Sequence, residues 1–380
     1  MEQFKDKKIA LVHDFLNQYG GAEKVLEVLA EMFPEAPIYT LLYDKEKMRG
    51  KFENREIRTS FFQKLPKFFR RRIKYFLFFL PTAPESFDLR EFDLVISSSS
   101  AWSKGIVTRL DTIHIAYIHS PMRFVWDYNE KYLRDERKEK LGFLIRPILS
   151  YFRLWDKLAV DRPDYLIANS KYTQKRIEKY YRKESEVIYP PASLREQARL
   201  RSVAGGSAST NDKYFLIVSR LSAYKKIDKA IEAFNKLELP LIIVGTGKEE
   251  RRLKKIAKSN IKFLGYQKDE KLPEIYKNAR AFIFPGVDDF GIAPIEAMMY
   301  GVPVIGIKDG GAVEIIEEGK TGEFFTTSTA EIIADGVRRF IEKEEKYDRE
   351  YIKQSVEKFS KEKFIREMRE FISRVINNFQ

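Results

Sequence analysis

Short apolar runs alternate with amphipathic helical segments along this chain, and that alternation constrains the fold more than any other feature. The first half contains the predicted helix Ala22–Met32 and the predicted strands Ile9–Val12, Ile38–Tyr43, Leu94–Ser97, Ile113–Ile118 and Tyr165–Ala168. Strands that are almost continuously apolar are typical of parallel sheets with helices on both faces. The pattern therefore predicts an α/β fold with a doubly wound sheet.

The second half repeats this rhythm. The predicted strands are Tyr214–Val218, Leu241–Val244, Ile261–Leu264, Ala281–Phe284 and Val302–Ile305. The predicted helices are Ile227–Lys236, Glu249–Ala257, Leu272–Asn278, Pro294–Tyr300, Ala312–Glu318, Glu331–Glu344 and Lys361–Asn377. Two such domains that face a central cleft suit a ligand at the carboxyl ends of the strands.

The length of 380 residues also indicates two domains, at roughly 100–200 residues each. Pro190 and Pro191 favour an extended connector, and the small-residue stretch Ala204–Thr210 predicts a flexible loop. We expect an N-terminal domain at 1–190, a C-terminal domain at 191–360, and a last helix at 361–380 that packs back on the first domain.

Several classes of site are disfavoured by residue types. The chain has no cysteine, which excludes disulfides and thiolate chemistry, and its three histidines make a multi-histidine metal centre unlikely to form. No apolar run approaches the ~20 residues that span a bilayer, and the N-terminus lacks a secretory signal pattern. We expect a cytoplasmic protein.

The formal charge of +13 suits nucleic acid, an anionic membrane, an anionic substrate or simply a lysine-rich surface. Basic and aromatic residues cluster between Arg58 and Leu80, and the cluster includes Lys67, Arg70, Arg71, Arg72 and Lys74. Leu65, Phe69, Arg72, Phe76 and Leu80 follow helical spacing. This predicts a basic amphipathic helix on a membrane surface; alternatively, some of the aromatic residues pack in the core.

Two motifs of the first half lie where predicted strands end. Gly20 and Gly21 open a helix, which suits close approach of a phosphate or a plain turn. His119 begins the segment His-Ser-Pro-Met-Arg-Phe-Val-Trp-Asp, directly after the strand Ile113–Ile118. Its imidazole is a candidate to contact a sugar hydroxyl, or is structural; Arg123, Trp126 and Asp127 favour carbohydrate.

Two motifs of the second half carry charge at strand ends. Arg220 and Lys225 follow Tyr214–Val218, and two fixed cations suit a diphosphate, although both also fit a basic surface. The segment Pro285–Gly301 places Asp288 before a helix that we expect to start near Pro294, with Glu296 in its first turn. Backbone N–H groups near Gly291 would face an anion.

These residues resemble the retaining, nucleotide-sugar-dependent glycosyltransferases of family 4, which have the two-domain GT-B fold. The resemblance covers nearly the whole chain and is strongest from Val218 to Phe324, including Val-Ser-Arg-Leu-Ser-Ala-Tyr-Lys-Lys and Asp-Asp-Phe-Gly-Ile-Ala-Pro-Ile-Glu-Ala-Met. The His-Asp-Phe-Leu-Asn-Gln-Tyr-Gly-Gly-Ala-Glu segment is similar to mannosyltransferase-like members that build surface polysaccharides.

The resemblance implies roles for individual residues. Gly20 and Gly21 would approach the donor diphosphate, and His119 would contact the donor sugar. Arg220 and Lys225 would neutralise the leaving group, Asp288 would contact the sugar and Glu296 would bind the ribose. Donor binding would also involve the segment Phe290, Gly291, Ile292 and Ala293. The family usually has Glu in place of Asp288 and Gly in place of Lys226.

The implied reaction transfers a hexose from a nucleoside-diphosphate sugar with retention, to a glycan or lipid-linked acceptor at the inner face of a membrane. No protein nucleophile and no metal ion are expected, because the cations and the helix N-terminus stabilise the leaving phosphate. Resemblance favours GDP-mannose as donor, with UDP- or ADP-sugars as alternatives.

Three other functions stay open from the sequence. One is a nucleotide-sugar epimerase of the same fold, and another is a non-catalytic binding protein. The third is a basic nucleic-acid-binding protein, although no recognition-helix or RNP-type pattern occurs. Our expected partners are therefore a nucleotide sugar, a glycan acceptor and an anionic membrane, and not nucleic acid.

Overall fold

The computed structural model describes residue 4 and residues 6–70, 73–127, 142–192 and 213–379. The chain divides into two compact units. The first comprises residues 1–191 together with 362–380, and the second comprises 192–361. Each unit is built around one parallel sheet, and each is described here by itself.

The sheet of the first unit has seven parallel strands in the order β3-β2-β1-β4-β5-β6-β7. The strands are β1 (Ile9–Leu16), β2 (Ile38–Tyr43), β3 (Ile57–Thr59), β4 (Leu94–Ser99), β5 (Ile113–Ile118), β6 (Tyr165–Ala168) and β7 (Glu186–Val187). The order reverses direction between β1 and β4, which is the topological switch point of a doubly wound fold.

Helices cover both faces of this sheet. They are Gly21–Met32, Gly142–Ala159, Lys171–Tyr181 and the C-terminal Lys361–Phe379, with single turns at Lys45–Met48, Lys67–Arg70 and Thr82–Glu85. Alternate residues of β1 enter opposite cores: Leu11 packs on one side, and Ala10 and Val12 pack on the other. Both faces are therefore apolar, as the continuous apolar runs predict.

The last helix completes the core of the first unit. Its buried side chains lie in the same cluster as Leu11, Val25 and Ile115, and they are Phe364, Met368, Phe371, Ile372 and Val375. Arg374 also forms an ion pair with Glu186 at the edge strand β7. The chain thus returns to its first unit after the second one is complete.

The sheet of the second unit has six parallel strands in the order β10-β9-β8-β11-β12-β13. They are β8 (Tyr214–Val218), β9 (Leu241–Val244), β10 (Ile261–Gly265), β11 (Ala279–Phe284), β12 (Val304–Ile307) and β13 (Gly322–Phe325). The helices are Ile227–Leu237, Glu250–Ile256, Leu272–Lys277, Ile292–Met298, Ala312–Ile315, Ala330–Lys343 and Arg349–Ser355. Its switch point lies between β8 and β11.

The predicted fold class, two doubly wound parallel sheets, is confirmed. Three strands were not predicted: β3 and β7, which lie at the two edges of the first sheet, and β13 in the second sheet. Strand β1 runs four residues beyond the predicted end, so His13 and Asp14 lie within it. The predicted loop Ala204–Thr210 lies outside the described residues.

The predicted basic amphipathic helix is wrong. Those of residues 61–80 that the structure describes form short pieces instead: a 3-10 turn at Phe61–Lys64, one α-helical turn at Lys67–Arg70, and a 3-10 segment at Ile73–Phe79 with a non-helical residue at Phe76. Leu65 is extended (φ −67°, ψ 147°), as expected for the residue before a proline. Helical spacing in the sequence therefore did not produce a continuous helix.

Among the described residues, no helix is both long enough and apolar enough to cross a membrane.

Candidate active site

The predicted charged residues of the second unit gather where its sheet changes direction. Arg220 and Lys225 follow β8, and Asp288 follows β11, the strand beside β8. Carboxyl ends of parallel strands at a switch point form the ligand crevice of doubly wound folds. The topology thus places these side chains at the position where such sheets bind ligands.

Tyr224 links the two cations of this site. Arg220 donates a hydrogen bond from Nη2 to the Tyr224 hydroxyl at 3.0 Å, and Nζ of Lys225 lies 5.2 Å from the centre of the Tyr224 ring. The Arg220 side chain is exposed, whereas that of Lys225 is 17% exposed. The cations therefore differ in environment, with Lys225 held more closely by protein.

Lys225 forms an ion pair with Asp288 across the switch point. Both side chains are mostly buried, with 17% and 14% of their surfaces exposed. Close backbone packing brings them together, because a Cβ atom at Gly286 would lie 2.8 Å from Cα of Lys225. Only glycine allows this approach, and the ion pair was not predictable from the sequence.

The loop that carries Asp288 rests on a second glycine turn. The N–H of Gly311 donates to the carbonyl oxygen of Asp288 at 2.9 Å, and Phe290 is 4% exposed and packs edge-on against Phe359. Gly291 has φ 110° and precedes the helix Ile292–Met298. Gly291, Ile292 and Ala293 are half-buried, whereas the Phe290 side chain faces the core.

Glu296 is the most deeply buried of the predicted site carboxylates. It is 3% exposed and accepts a hydrogen bond from the hydroxyl of Tyr276 at 3.0 Å. Burial and the adjacent carboxylate raise the pKa of Tyr276 well above its ordinary value, so the phenol keeps its proton as a donor. The helix begins at Ile292 rather than near Pro294, and the prediction that Glu296 lies in its first turn is wrong.

Lys226 adopts a left-handed backbone conformation with φ 54° where the short turn Ala223–Lys225 meets the helix Ile227–Leu237. This conformation disfavours residues with a Cβ atom and suits glycine. Glycine, which the resemblance implies at this position, adopts the left-handed conformation at a lower cost.

In the first unit, Gly20 precedes the helix Gly21–Met32 in an extended conformation. A Cβ atom at Gly20 would lie 3.2 Å from Oε2 of Glu23. Glu23 lies in the first helical turn, is 5% exposed, and places Oε1 3.6 Å from Nε2 of His13. The glycine turn is thus next to a buried carboxylate and a buried histidine on β1.

His119 follows β5 and is 8% exposed. Its Nε2 lies 2.8 Å from the hydroxyl of Ser98, which lies 3.1 Å from Nδ1 of His13. Burial, and secondarily the nearby His13, lower the pKa of His119 to about 4. The imidazole is therefore neutral at pH 7.

Asp14 fixes the loop after β4. Its carboxylate accepts four backbone N–H bonds, from Ser100, Ala101, Trp102 and Ser103, at 2.6–2.8 Å. Four charge-assisted bonds to one loop hold it rigidly beside Ser98. Nothing in the sequence indicates the role of Asp14, because its partners lie more than 80 positions away.

The segment after His119 is held by buried charges. Arg176 donates to the hydroxyl of Ser120 at 2.8 Å and pairs with Asp127.

A second buried network holds Trp126 in the same segment. Trp126 donates from Nε1 to Asp156 at 2.7 Å, and Asp156 also pairs with Lys104 at 2.5 Å. Trp126 and Asp127, which we interpreted as suited to carbohydrate, therefore have partners within the protein.

An aromatic patch, which we define by exposed apolar side chains, lies on the first unit. Its members are 42–61% exposed and are Phe68, Phe69, Phe78, Phe79, Tyr151, Leu154 and Leu158. The rings of Phe78 and Tyr151 lie 5.8 Å apart and join the two segments. Lys67 is exposed and Arg70 half-buried; Arg71, Arg72 and the side chain of Lys74 lie outside the described residues.

Within the described ranges, no group of three or more His, Cys, Asp and Glu residues is arranged to hold a metal ion.

Comparison with known proteins identifies two family models. Residues 19–196 match the model described as Glycosyltransferase Family 4, and residues 203–358 match Glycosyl transferases group 1. Neither match includes His13 or Asp14. Together the two matches include the other residues described at the strand ends, which are Gly20, Glu23, Ser98, His119, Arg220, Lys225, Asp288 and Glu296.

Named relatives are similar to this chain over part of its length. A probable sucrose-phosphate synthase from Thermosipho melanesiensis is 32% identical over 40% of this chain and 39% of its own length. O-antigen chain mannosyltransferase C from Escherichia coli is 26% identical over 56% of this chain and 57% of its own. The chain spans between 36% and 57% of the length of four curated relatives that it matches.

A solved structure, Anabaena HepE in complex with UDP, superimposes with a TM-score of 0.65 at 18% identity. The match covers 97% of this chain and 100% of that one. It supports the two-sheet architecture.

Proposed function

We propose that this chain, which belongs to the family 4 glycosyltransferases of group 1, transfers a hexose from a nucleotide sugar to a glycan or lipid-linked acceptor with retention of configuration. The observation that carries this proposal is the constellation at the switch point of the second sheet. There Arg220 and Lys225 provide positive charge beside the carboxylate of Asp288.

In the reaction, the bond between the anomeric carbon and the diphosphate oxygen breaks, and a bond from the same carbon to the acceptor oxygen forms. The acceptor's proton passes to the departing phosphate on the same face. Arg220 and Lys225 neutralise the charge that develops on the diphosphate, which is the largest electrostatic demand of the step. Glu296 binds the ribose, and His119 contacts the sugar.

Mannose from GDP-mannose is our proposed substrate. The similarity to an O-antigen mannosyltransferase supports mannose, whereas UDP in a solved relative makes a UDP-sugar the principal rival. No metal ion takes part in the proposed step, because the two cations supply the charge that a divalent ion would provide.

We propose that the aromatic patch binds an anionic membrane surface and brings the site to a lipid-linked acceptor on the inner face of the membrane. Tyr151, Leu154 and Leu158 lie on one side of the helix Gly142–Ala159, at spacings of three and four residues. On this side the ring of Tyr151 lies 5.8 Å from that of Phe78. The rings of Phe68, Phe69 and Phe79 are also exposed, and Lys67 and Arg70 flank Phe68 and Phe69 in the sequence. Exposed apolar groups beside cations are typical of interfacial binding.

The experiment incubates the protein separately with GDP-mannose, UDP-glucose and ADP-glucose and an α-mannoside acceptor, and measures release of nucleoside diphosphate. We expect release from GDP-mannose, and a rate lower by on the order of 10²-fold in Lys225→Ala. Lys229→Ala is the matched control, because Lys229 pairs with Glu232 on the following helix.

Other outcomes identify the rival functions. Release from UDP-glucose alone reassigns the donor, and an altered sugar that stays attached to the nucleotide indicates an epimerase. Binding of nucleotide without release or sugar change indicates a non-catalytic protein. Salt-dependent binding to duplex DNA without nucleotide binding would contradict the proposal.

A further inference from the structure

His119 ends a buried chain of polar side chains that the transfer reaction by itself does not require. Oε1 of Glu23 lies 3.6 Å from Nε2 of His13, Nδ1 of His13 lies 3.1 Å from the hydroxyl of Ser98, and that hydroxyl lies 2.8 Å from Nε2 of His119. We name Glu23, His13 and Ser98 the histidine chain. All three are buried, with exposures of 5%, 2% and 0%.

The register of the sheet places this chain at the switch point. His13 on β1 pairs directly with Ser98 on β4, and His119 follows the next strand, β5. The glycine turn at Gly20 also contacts Glu23. The histidine chain therefore connects the beginning of the first helix to the imidazole of His119.

The single proton of the Ser98 hydroxyl gives this chain a direction. The Glu23 carboxylate lies 3.6 Å from Nε2 of His13, beyond hydrogen-bond distance, but its negative charge favours a proton on the ring nitrogen that faces it. When Nε2 carries the single ring proton of His13, Nδ1 accepts the proton of the Ser98 hydroxyl. The Ser98 oxygen is left to accept from His119, which requires a proton on Nε2 of that ring.

We propose that the histidine chain holds His119 in the tautomer with its proton on Nε2, so that Nδ1 accepts a hydrogen bond from a hydroxyl group of the donor sugar. Within the part of the chain that the structure describes, the ring of His119 forms a hydrogen bond through Nε2 only, and Nδ1 is available to a ligand. The ring is neutral because burial lowers its pKa. Ser98 thus positions His119. The contact between His119 and the donor sugar is part of the proposed function, on which this inference rests.

The test reads the tautomer without any donor. The chain contains only three histidines, His13, His114 and His119, so ring-nitrogen NMR signals are assigned by single substitutions. At pH 8, where an imidazole of ordinary pKa, about 6.5, is neutral, we expect the protonated-nitrogen shift at Nε2 of His119 and the unprotonated shift at Nδ1. A proton on Nδ1 in the wild-type protein would overturn the proposal.

Substitution of Ser98 adds the second readout. Ser98→Ala should give mixed tautomers at His119, and Ser98→Thr, which keeps a hydroxyl, should restore the single form. Ser97→Ala is the matched control, because it removes an equivalent buried bond, 2.8 Å to Nε2 of His114, one residue away. An unchanged His119 signal in Ser98→Ala would also refute the proposal.

Kinetics then connect the tautomer to the sugar. Ser98→Ala should lower kcat/KM for the nucleotide sugar about three- to tenfold, while the Kd of the free nucleoside diphosphate stays constant, since that ligand lacks the hexose whose hydroxyl would contact Nδ1. Equal losses for both ligands would show a merely structural role. If no donor is turned over, the proposed function fails, and the NMR signals still decide the tautomer.

Discussion

Lys226 adopts a backbone conformation that an L-residue with a Cβ atom disfavours, at φ 54°. The left-handed region costs about 1–2 kcal/mol for such residues, and glycine avoids most of that cost while losing more entropy on folding. Lys226→Gly should therefore raise the free energy of unfolding by about 1 kcal/mol, measured by urea denaturation. Lys226→Ala keeps the Cβ atom and should give no gain; equal gains would contradict this explanation.

If Lys225 binds the donor diphosphate, as we propose, Asp288 competes with that diphosphate, because Lys225 and Asp288 form an ion pair in the structure. Asp288→Asn should tighten binding of free GDP about three- to fivefold, equivalent to about 1 kcal/mol, while transfer of the sugar slows. Calorimetry with GDP measures the first effect. Glu232→Gln, which removes the carboxylate that pairs with Lys229, is the control, and weaker GDP binding in Asp288→Asn would refute competition.

For single residues, the sequence predicted which ones are candidates for the site, but not which residues they contact. Arg220, Lys225, Asp288 and His119 were predicted because each follows an apolar strand. Their contacts depend on which strands are neighbours. The bond between Ser98 and His13 joins residues 85 positions apart, and only the register of the sheet brings them together.

The aromatic patch combines two structural elements, and its role is tested by charge. Leu154→Glu together with Leu158→Glu places two carboxylates on positions that are 61% and 57% exposed. We expect sedimentation with anionic vesicles to fall strongly, because carboxylates oppose both insertion and electrostatic attraction. GDP binding should not change, because the predicted ribose and diphosphate contacts lie mainly in the second unit.

The control adds the same charges elsewhere on the first unit. Val107→Glu with Leu110→Glu changes two exposed residues. Both precede the amino end of strand β5, whereas His119 follows its carboxyl end. This variant should sediment like the parent. If both double variants bind vesicles equally, the aromatic patch is not the membrane surface.

Elements with strong periodicity were predictable, and the rest depended on tertiary context. The central strands β1, β4 and β5 are rich in apolar residues and buried at almost every position, whereas β3 and β7 are edge strands of three and two residues without fully buried positions. Between Leu65 and Leu80 the spacing favoured a helix, but Pro66 fixes Leu65 in an extended conformation and the core retains Leu65 and Phe76. Burial against neighbours outweighed the local pattern there.

For the whole molecule, the last helix belongs to the first unit although it follows the second. Ile372 is fully buried in the core of the first unit. Ile372→Ala should lower the free energy of unfolding of that unit by about 2–5 kcal/mol. Hydrogen exchange should show faster exchange in β1, β4 and β5 and little change in β8–β13.

Ile332→Ala tests the specificity of this effect. Ile332 is 36% exposed on a helix of the second unit, and its truncation should leave exchange in β1, β4 and β5 unchanged. Equal effects of Ile372→Ala on both sheets would show that the two units unfold together.

We propose that Arg220 and Lys225 support sugar transfer with retention of configuration. The most direct measurement is the anomeric configuration of the product formed from GDP-α-mannose and an α-mannoside acceptor, determined by proton NMR as the donor is consumed. We predict an α-linked disaccharide and one released GDP for each bond formed, with both lost together in Lys225→Ala. A β-linked product, or a sugar that stays attached to GDP while the donor is consumed, would contradict the account.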